Sequence, residues 1–435
     1  MNILIITPFY KHDRNIASVR WTNIGIRLAK KHNVIVVTQP HDDMDMNTTS
    51  ERDEDNVLVA RINQKTWYEK TAVKHFGGAT GDDWQTSSGT GEPIQVQDDF
   101  KRKLKNRVLY ASMRRKAKQY AADIVKNVIP KEMKIDVVIS SACPFIEMLF
   151  GYELKKRLGC KWISDFRDLP FIEDNCDDTH IQKIIMQESL KEADAIVVIA
   201  NKGKEKLADG IVDNPDKIHV IRNGFSLADA RETTTIQDVK LHIVHTGSLY
   251  GGKRKADLLF KAISNVRERE PAFKYVLECA GGNNESLMET AKQYGEESNV
   301  INRGFISREE ALALQSSSDL LLALIFKTAG SFSAKIYEYI LNKKPIICIS
   351  RGLEEIGEET QFIRELQLGI AIEENTSIND LPMLTDFLLS QYKRKVSGLQ
   401  IDYSPKIKEL EKYSIDKISV EIEYLCKSVL KGKAI

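Results

Sequence analysis

Lys335 and Glu338 stand three residues apart in the run G-S-F-S-A-K-I-Y-E at 330–338, at the start of a stretch patterned as a helix. The apolar residues 320–326 ahead of it read as a buried strand, and Ile336, Tyr339 and Ile340 share one helical face. Ser331 or Ser333 suits the N-cap. Either choice puts Lys335 in the first turn, where unpaired amides and the helix dipole disfavour a cation. A bound anion removes that conflict. The loop Ser331-Phe332-Ser333-Ala334 and the helix amides would cradle a phosphate, Lys335 would neutralise it, and Glu338 would accept hydrogen bonds from sugar hydroxyls. An i,i+3 ion pair between Lys335 and Glu338 on a solvated face is the competing reading.

A second candidate opens at His245, in H-T-G-S-L-Y-G-G-K-R. It follows a strand pattern and precedes a helix pattern. Gly247, Gly251 and Gly252 would let the backbone approach a ligand beside Ser248, while Lys253 or Arg254 reaches its phosphates. The spacing is neither that of a Walker loop nor of G-x-G-x-x-G. Gly281-Gly282-Asn283-Asn284 ends another strand pattern in the same half of the chain. Ligands collect at the carboxyl ends of strands in open α/β sheets, so these loops point to one site. In the other half, Asp165-Phe166-Arg167-Asp168 puts three charges in four residues after a strand pattern. Such a group either orients acceptor hydroxyls across a cleft or forms a structural salt bridge. Asp43-Met44-Asp45 has metal-binding spacing but no strand leading into it. The eight histidines form no H-x-x-x-H pair, and no G-x-S-x-G elbow occurs.

Loops of this kind need parallel strands to hold them. Short apolar runs bounded by turn residues alternate with amphipathic stretches almost throughout, the pattern of βαβ units. Strand candidates at 2–7, 34–38, 57–62, 137–140, 161–165, 195–199 and 219–221 fill residues 1–225, and those at 242–246, 274–279, 300–303, 320–324, 345–349 and 369–372 fill 239–412. The polar stretch 226–238 reads as a linker, and 413–435 holds a further amphipathic helix. The expected fold class is α/β, with two tandem Rossmann-like doubly wound domains facing a cleft. A Gly-, Ser- and Thr-rich loop at 77–93 and a basic helix at 101–118 interrupt the rhythm. The nine cations of that helix suit either anionic lipid headgroups or a solvated face.

Composition limits the alternatives. At 435 residues the chain can bury two large cores, and 63 Lys and Arg against 62 Asp and Glu give no general attraction to nucleic acid. Six cysteines without a C-x-x-C pair favour reduced thiols, and no apolar run reaches the ~20 residues that span a bilayer. The first residues enter a strand pattern directly, without a leader-like segment, so a cytoplasmic protein is expected.

Taken together, these residues resemble the retaining, GT-B fold glycosyltransferases of family 4 over most of the chain. H-T-G-S-L-Y-G-G-K-R, L-E-C-A-G-G, N-R-G-F-I and Lys335-x-x-Glu338 followed by Lys344-Pro345-Ile346-Ile347 recur in that family's order. Trp162-Ile163-Ser164-Asp165-Phe166-Arg167-Asp168 and Ile221-Arg222-Asn223-Gly224-Phe225 look like a bacterial branch that builds surface polysaccharides. The resemblance implies a nucleotide-diphosphate sugar on the second domain, an acceptor on the first, and a final helix that crosses back to the first domain. By position it assigns Lys253, Arg254 and Lys335 to the leaving diphosphate and Glu338 to the ribose. Gly281, Gly282 and the segment 304–306 with Phe305 would flank the base. Asp165 and Arg167 would act on the acceptor side, with Asp168 and Asn223 nearby. Neutralising a leaving pyrophosphate suits glycosyl transfer, and cations with helix amides would do this without a metal or other cofactor. Two positions depart from the family pattern: Gly330 stands where many members carry an acidic residue, and Ser248 where an arginine is frequent.

The function so implied is glycosyl transfer, with retention, to a lipid-linked or oligosaccharide acceptor in capsule, O-antigen or exopolysaccharide synthesis. The enzyme would be cytoplasmic and peripheral at the inner face of the cell membrane. A nucleotide-sugar 2-epimerase of the same fold and a non-catalytic sugar-binding subunit of a polysaccharide assembly are the alternatives.

Overall fold

Strands that read as unbroken apolar runs must be covered on both faces, which parallel sheets with helical crossovers achieve. The computed structural model describes residues 1–11, 18–40, 49–62, 99–142, 146–169, 179–226, 236–249, 252–282, 284–327, 330–353 and 355–432, and contains two such sheets. The first is built from β1 (Asn2–Ile6), β2 (Asn33–Thr38), β3 (Thr49–Arg52), β4 (Leu58–Arg61), β5 (Val137–Ala142), β6 (Lys161–Phe166), β7 (Ala195–Val198) and β8 (Ile218–Val220). Their order is β3-β4-β2-β1-β5-β6-β7-β8. The second contains β9 (Leu241–Thr246), β10 (Tyr275–Ala280), β11 (Val300–Gly304), β12 (Leu320–Lys327), β13 (Ile346–Gly352) and β14 (Gly369–Glu373), in the order β11-β10-β9-β12-β13-β14. Among the described strands only β3 pairs antiparallel, at the edge against β4. Its sequence, T-S-E-R, is polar, so it leaves no apolar run by which to recognise it.

Helices α1 (Ser18–Ala29), α2 (Asp99–Asn127), α3 (Ile146–Leu158), α4 (Thr179–Leu190) and α5 (Asn201–Ala208) accompany the first sheet. The second carries α6 (Asp257–Arg269), α7 (Glu285–Gln293), α8 (Arg308–Ser317), α9 (Ala334–Ile340), α10 (Glu358–Leu366) and α11 (Ser377–Val396). The second sheet reverses its order between β9 and β12, which pair only at Ile243↔Leu320 and Val244↔Leu321. Chains leaving those two strands therefore diverge over a crevice. They carry the two phosphate-binding candidates.

After α12 (Ile407–Leu410), the last helix, α13 (Ile415–Lys431), packs on the first domain. Ile415, Ile418, Ile422, Leu425, Cys426 and Val429 recur at helical spacing and join the core of Trp21, Ile24 and Leu28. Each buried side chain of this kind contributes about 1.5–3 kcal/mol. The two crossings between domains run side by side: Phe225 N donates to the Tyr413 carbonyl at 3.2 Å, and Ile415 N donates to the Phe225 carbonyl at 2.8 Å.

Several sequence features lie outside the described residues: Asp43-Met44-Asp45, the 77–93 loop, Gly251, Asn283 and most of 226–238. The basic run 101–118 falls in α2, whose Met113, Ala117, Ala121 and Ile124 form a buried seam. Arg114 turns toward α3 and donates to the Tyr152 hydroxyl at 3.0 Å. Cys160, Cys279, Cys348 and Cys426 are buried free thiols. No helix among the described residues is long and apolar enough to cross a membrane.

Candidate functional site

Three neighbouring strands of the second sheet run out into glycines. Gly247 N donates to the Ala280 carbonyl at 2.7 Å, and Gly281 N donates to the Gly304 carbonyl at 2.8 Å. Gly281, at φ 135°, lies so close to Gly247 that a Cβ would fall 2.3 Å from the Gly247 carbonyl oxygen. No other residue fits there. Asn284 Nδ2 donates to the Gly281 carbonyl at 3.1 Å and to Asn302 Oδ1 at 3.0 Å, which fixes the two loops to each other. Phe305, 84% exposed, lies with its ring edge against Gly282. Arg254 braces the loop it ends by donating to the Ser248 carbonyl at 3.0 Å. Lys253 Nζ sits 5.6 Å from the ring centroid of Phe326, near the end of β12, within cation–π range. Gly252, at φ 81°, turns the chain back toward α6.

Lys335, in the first turn of α9, reaches this loop. A Cβ on Gly247 would lie 2.2 Å from Lys335 Cε, so the lysine chain runs across the bare glycine backbone. Among the described residues its ammonium has no hydrogen-bond or ion-pair partner, and Glu338 does not pair with it. Burial pushes the Lys335 pKa down, against the pull of Glu338, and the positive charges of Arg254 and Arg308 depress it further. Glu338 instead accepts from Gln315 Nε2 at 2.7 Å and faces Arg308 at 3.6 Å. The arrangement is a cluster of cations around a half-buried spot with one carboxylate at its rim. It is chemically suited to a diphosphate.

Arg308, Gln315 and the Tyr339 hydroxyl were not singled out by sequence. Gln315 Nε2 also donates to Thr246 Oγ1 at 2.9 Å, and Thr246 N donates to the Tyr339 hydroxyl at 3.1 Å, so α8 and α9 are both tied to the end of β9. One signal was available: Ser307 and Glu310 form a capping box, which places Arg308 at a helix start, as Lys335 is placed. The serine cap expected for α9 takes another form. Ser333 occupies the N-cap position without a side-chain cap bond, and its own N–H donates to Glu359 Oε1 at 2.9 Å. His245, next to the loop, donates from Nδ1 to the Leu322 carbonyl at 2.9 Å, and burial lowers its pKa to about 4, so it is neutral at pH 7.

In the first domain the structure separates residues that lie together in sequence. Asp165 is fully buried and accepts from Arg20 at 2.9 Å, Trp21 Nε1 at 3.0 Å and Ser141 Oγ at 2.9 Å. It is an internal anchor whose partner is Arg20. Arg20 also donates to the carbonyls of Ile221 and Arg222 and to Asn223 Oδ1, so Asn223 belongs to the same network. Arg167 is buried, whereas Asp168 is exposed. Near Arg167, Glu147 in the first turn of α3 is wholly buried, with no side-chain partner among the described residues, and burial raises its pKa to about 8. Leu169 and Gly203 touch the second domain at Gly330: a Cβ there would fall 2.9 Å from Leu169 Cδ1 and 3.1 Å from Gly203 Cα. Position 330 therefore has no room for a carboxylate in this arrangement of the domains.

Residues 240–376 match the family model described as "Glycosyl transferases group 1". Solved structures extend the likeness to nearly the whole chain. Sucrose-phosphate synthase from Thermosynechococcus elongatus superposes with a TM-score of 0.60 at 12% identity, covering 99% of this chain and 100% of that one. The apo form of the lipopolysaccharide outer core galactosyltransferase WaaB gives 0.58 at 15% identity, covering 98% and 99%. A structure described as "Trehalose-6-phosphate from E. coli bound with UDP-2-fluoro glucose" gives 0.61 at 11% identity, covering 98% and 99%. No curated relative matches the sequence. At these identities the structures establish the fold, which is GT-B. Fold and domain match together define the class, a GT-B glycosyltransferase with its group 1 domain in the second half of the chain.

Proposed function

We propose that the protein transfers a sugar from a nucleotide-diphosphate donor, held by the second domain, to a lipid-linked or oligosaccharide acceptor on the first, with retention and without a metal. Surface-polysaccharide synthesis is the setting we favour. One observation carries the donor assignment: the ammonium of Lys335, without a hydrogen-bond or ion-pair partner among the described residues, lies across Gly247 at the sheet's switch point, with Arg254 and Arg308 close by. Lys335, Arg254 and the α9 amides would take up the charge that develops on the leaving diphosphate, where preorganised donors act most strongly. Glu338 would accept from the ribose, and the exposed ring of Phe305 would flank the base. The 2-fluoro sugar named for the E. coli structure makes UDP-sugars the first donors to try.

The test is a panel of UDP-, GDP- and dTDP-sugars, read by thermal protection and by release of nucleoside diphosphate. Lys335→Ala should lower affinity for the responding donor at least tenfold, the scale of one lost charge-assisted contact of about 1.5–3 kcal/mol. An unchanged affinity would reject the phosphate role. Gly330 favours a second reading, a donor-binding subunit without turnover; binding with no release of diphosphate in the presence of any acceptor would select it.

A further inference from the structure

The first turn of α10 presents two adjacent glutamates that face different parts of the molecule. Glu358 reaches the first domain, where Oε2 accepts from Arg222 at 2.6 Å and Oε1 accepts from the Lys202 backbone N–H, in the first turn of α5, at 2.9 Å. Glu359 reaches the donor loop, where Oε1 accepts from Ser333 N at 2.9 Å. Both are well shielded from solvent, as is Arg222. The turn that holds them is itself anchored: Glu373, at the end of β14, accepts from Gly357 N at 2.9 Å, from the Thr360 hydroxyl and from Lys327 of β12.

The same contacts reach further in both directions. The Arg222 carbonyl accepts from Arg20, which Asp165 holds at the end of β6, so Glu358 is tied into the centre of the first domain. Arg222 also lies over the ring of Phe332, 5.0 Å from its centroid, while Phe362 of α10 packs against that ring edge-on at 5.3 Å. Gly330 touches Gly203 and Leu169. The loop 330–333 is thus held by α10 on one side and by the first domain on the other.

We propose that Glu358 and Glu359 are positioning residues that couple domain closure to the donor loop: Glu359 fixes the backbone at Ser333, and Glu358 brings the first domain against the same loop. The loop then takes its anion-binding geometry when the domains are closed. This rests on the donor-site reading above, because the loop matters for catalysis only if it meets the diphosphate.

Amide hydrogen exchange over 330–340 reports the loop and small-angle X-ray scattering reports closure, neither requiring a ligand. Glu358→Gln, which removes the charge facing Arg222, should enlarge the radius of gyration and speed exchange of the loop amides at least tenfold, although Glu358 makes no bond to the loop. Arg222→Gln removes the same ion pair from the other domain and should reproduce both effects, which guards against a folding defect in either variant. Glu359→Ala should speed loop exchange without changing the radius, and Glu359→Gln, which keeps an oxygen acceptor for Ser333 N–H, should restore it. Loop exchange equal to the parent's in an opened Glu358→Gln or Arg222→Gln protein would overturn the coupling, as would normal exchange in Glu359→Ala. Titration with UDP, GDP and dTDP separates the two claims: coupling in a protein that binds none of them overturns the donor reading, whereas binding without coupling overturns the positioning role.

Discussion

A lysine in the first turn of a helix is unfavourable unless an anion arrives, and Lys335 stands at that place in α9. Its chain occupies the space that a side chain at position 247 would need, so the first glycine loop and the lysine form one device. Gly247→Ala should therefore disable donor binding in a folded protein. The strained φ of 133° costs about 1–3 kcal/mol, and the new methyl displaces the Lys335 chain. Isothermal titration with the responding nucleoside diphosphate checks this, and undiminished affinity would show that the two loops act apart. Lys335 and Glu338 were legible in sequence because their signal is local, a charge at the wrong end of a helix. Arg308 and Gln315 were not, since they reach Glu338 from α8, and only folding brings that helix alongside α9.

At the scale of elements, apolar runs mark the parallel strands, while the polar edge strand β3 has no such mark because backbone pairing alone defines it. The amphipathic pattern of α13 was equally plain, yet a stripe of isoleucines does not say which core it enters. In the structure it covers α1, and Lys31 and His32 of the first domain hold its margin: Glu423 accepts from Lys31 at 3.2 Å and His32 at 3.1 Å, and from Lys427, one turn on in the same helix, at 2.6 Å. Lys427 first, with Lys31 and His32, holds the Glu423 pKa at about 2, below its ordinary 4.5. A carboxylate depressed in the folded state stabilises above its unfolded pKa and loses that contribution as pH falls through the folded one. Glu423→Gln should thus lower the melting temperature by about 1–3 °C at pH 7, with the difference from the parent narrowing between pH 4.5 and pH 2. A difference independent of pH would assign the stabilisation to packing instead.

At the scale of the whole molecule, Gly330 meets Gly203 and Leu169 of the first domain. Gly330→Ala puts a methyl into that contact at a φ of 90°, and should destabilise the closed form by about 1–3 kcal/mol. Scattering would show a larger radius of gyration; an unchanged radius would mean that closure does not rest on this contact. Sequence by itself determined the two α/β domains and marked the glycine loops and the helix-start lysine of the second as candidates, because hydrophobic periodicity and helix-end electrostatics are properties of contiguous residues. Tertiary structure alone decided that Asp165 is an internal anchor, that Arg20 is its partner, and that position 330 must be bare. Each of these depends on which residues distant in the chain share a small, water-poor space, where close contact and an unpaired charge are costly and sequence order gives no measure of distance.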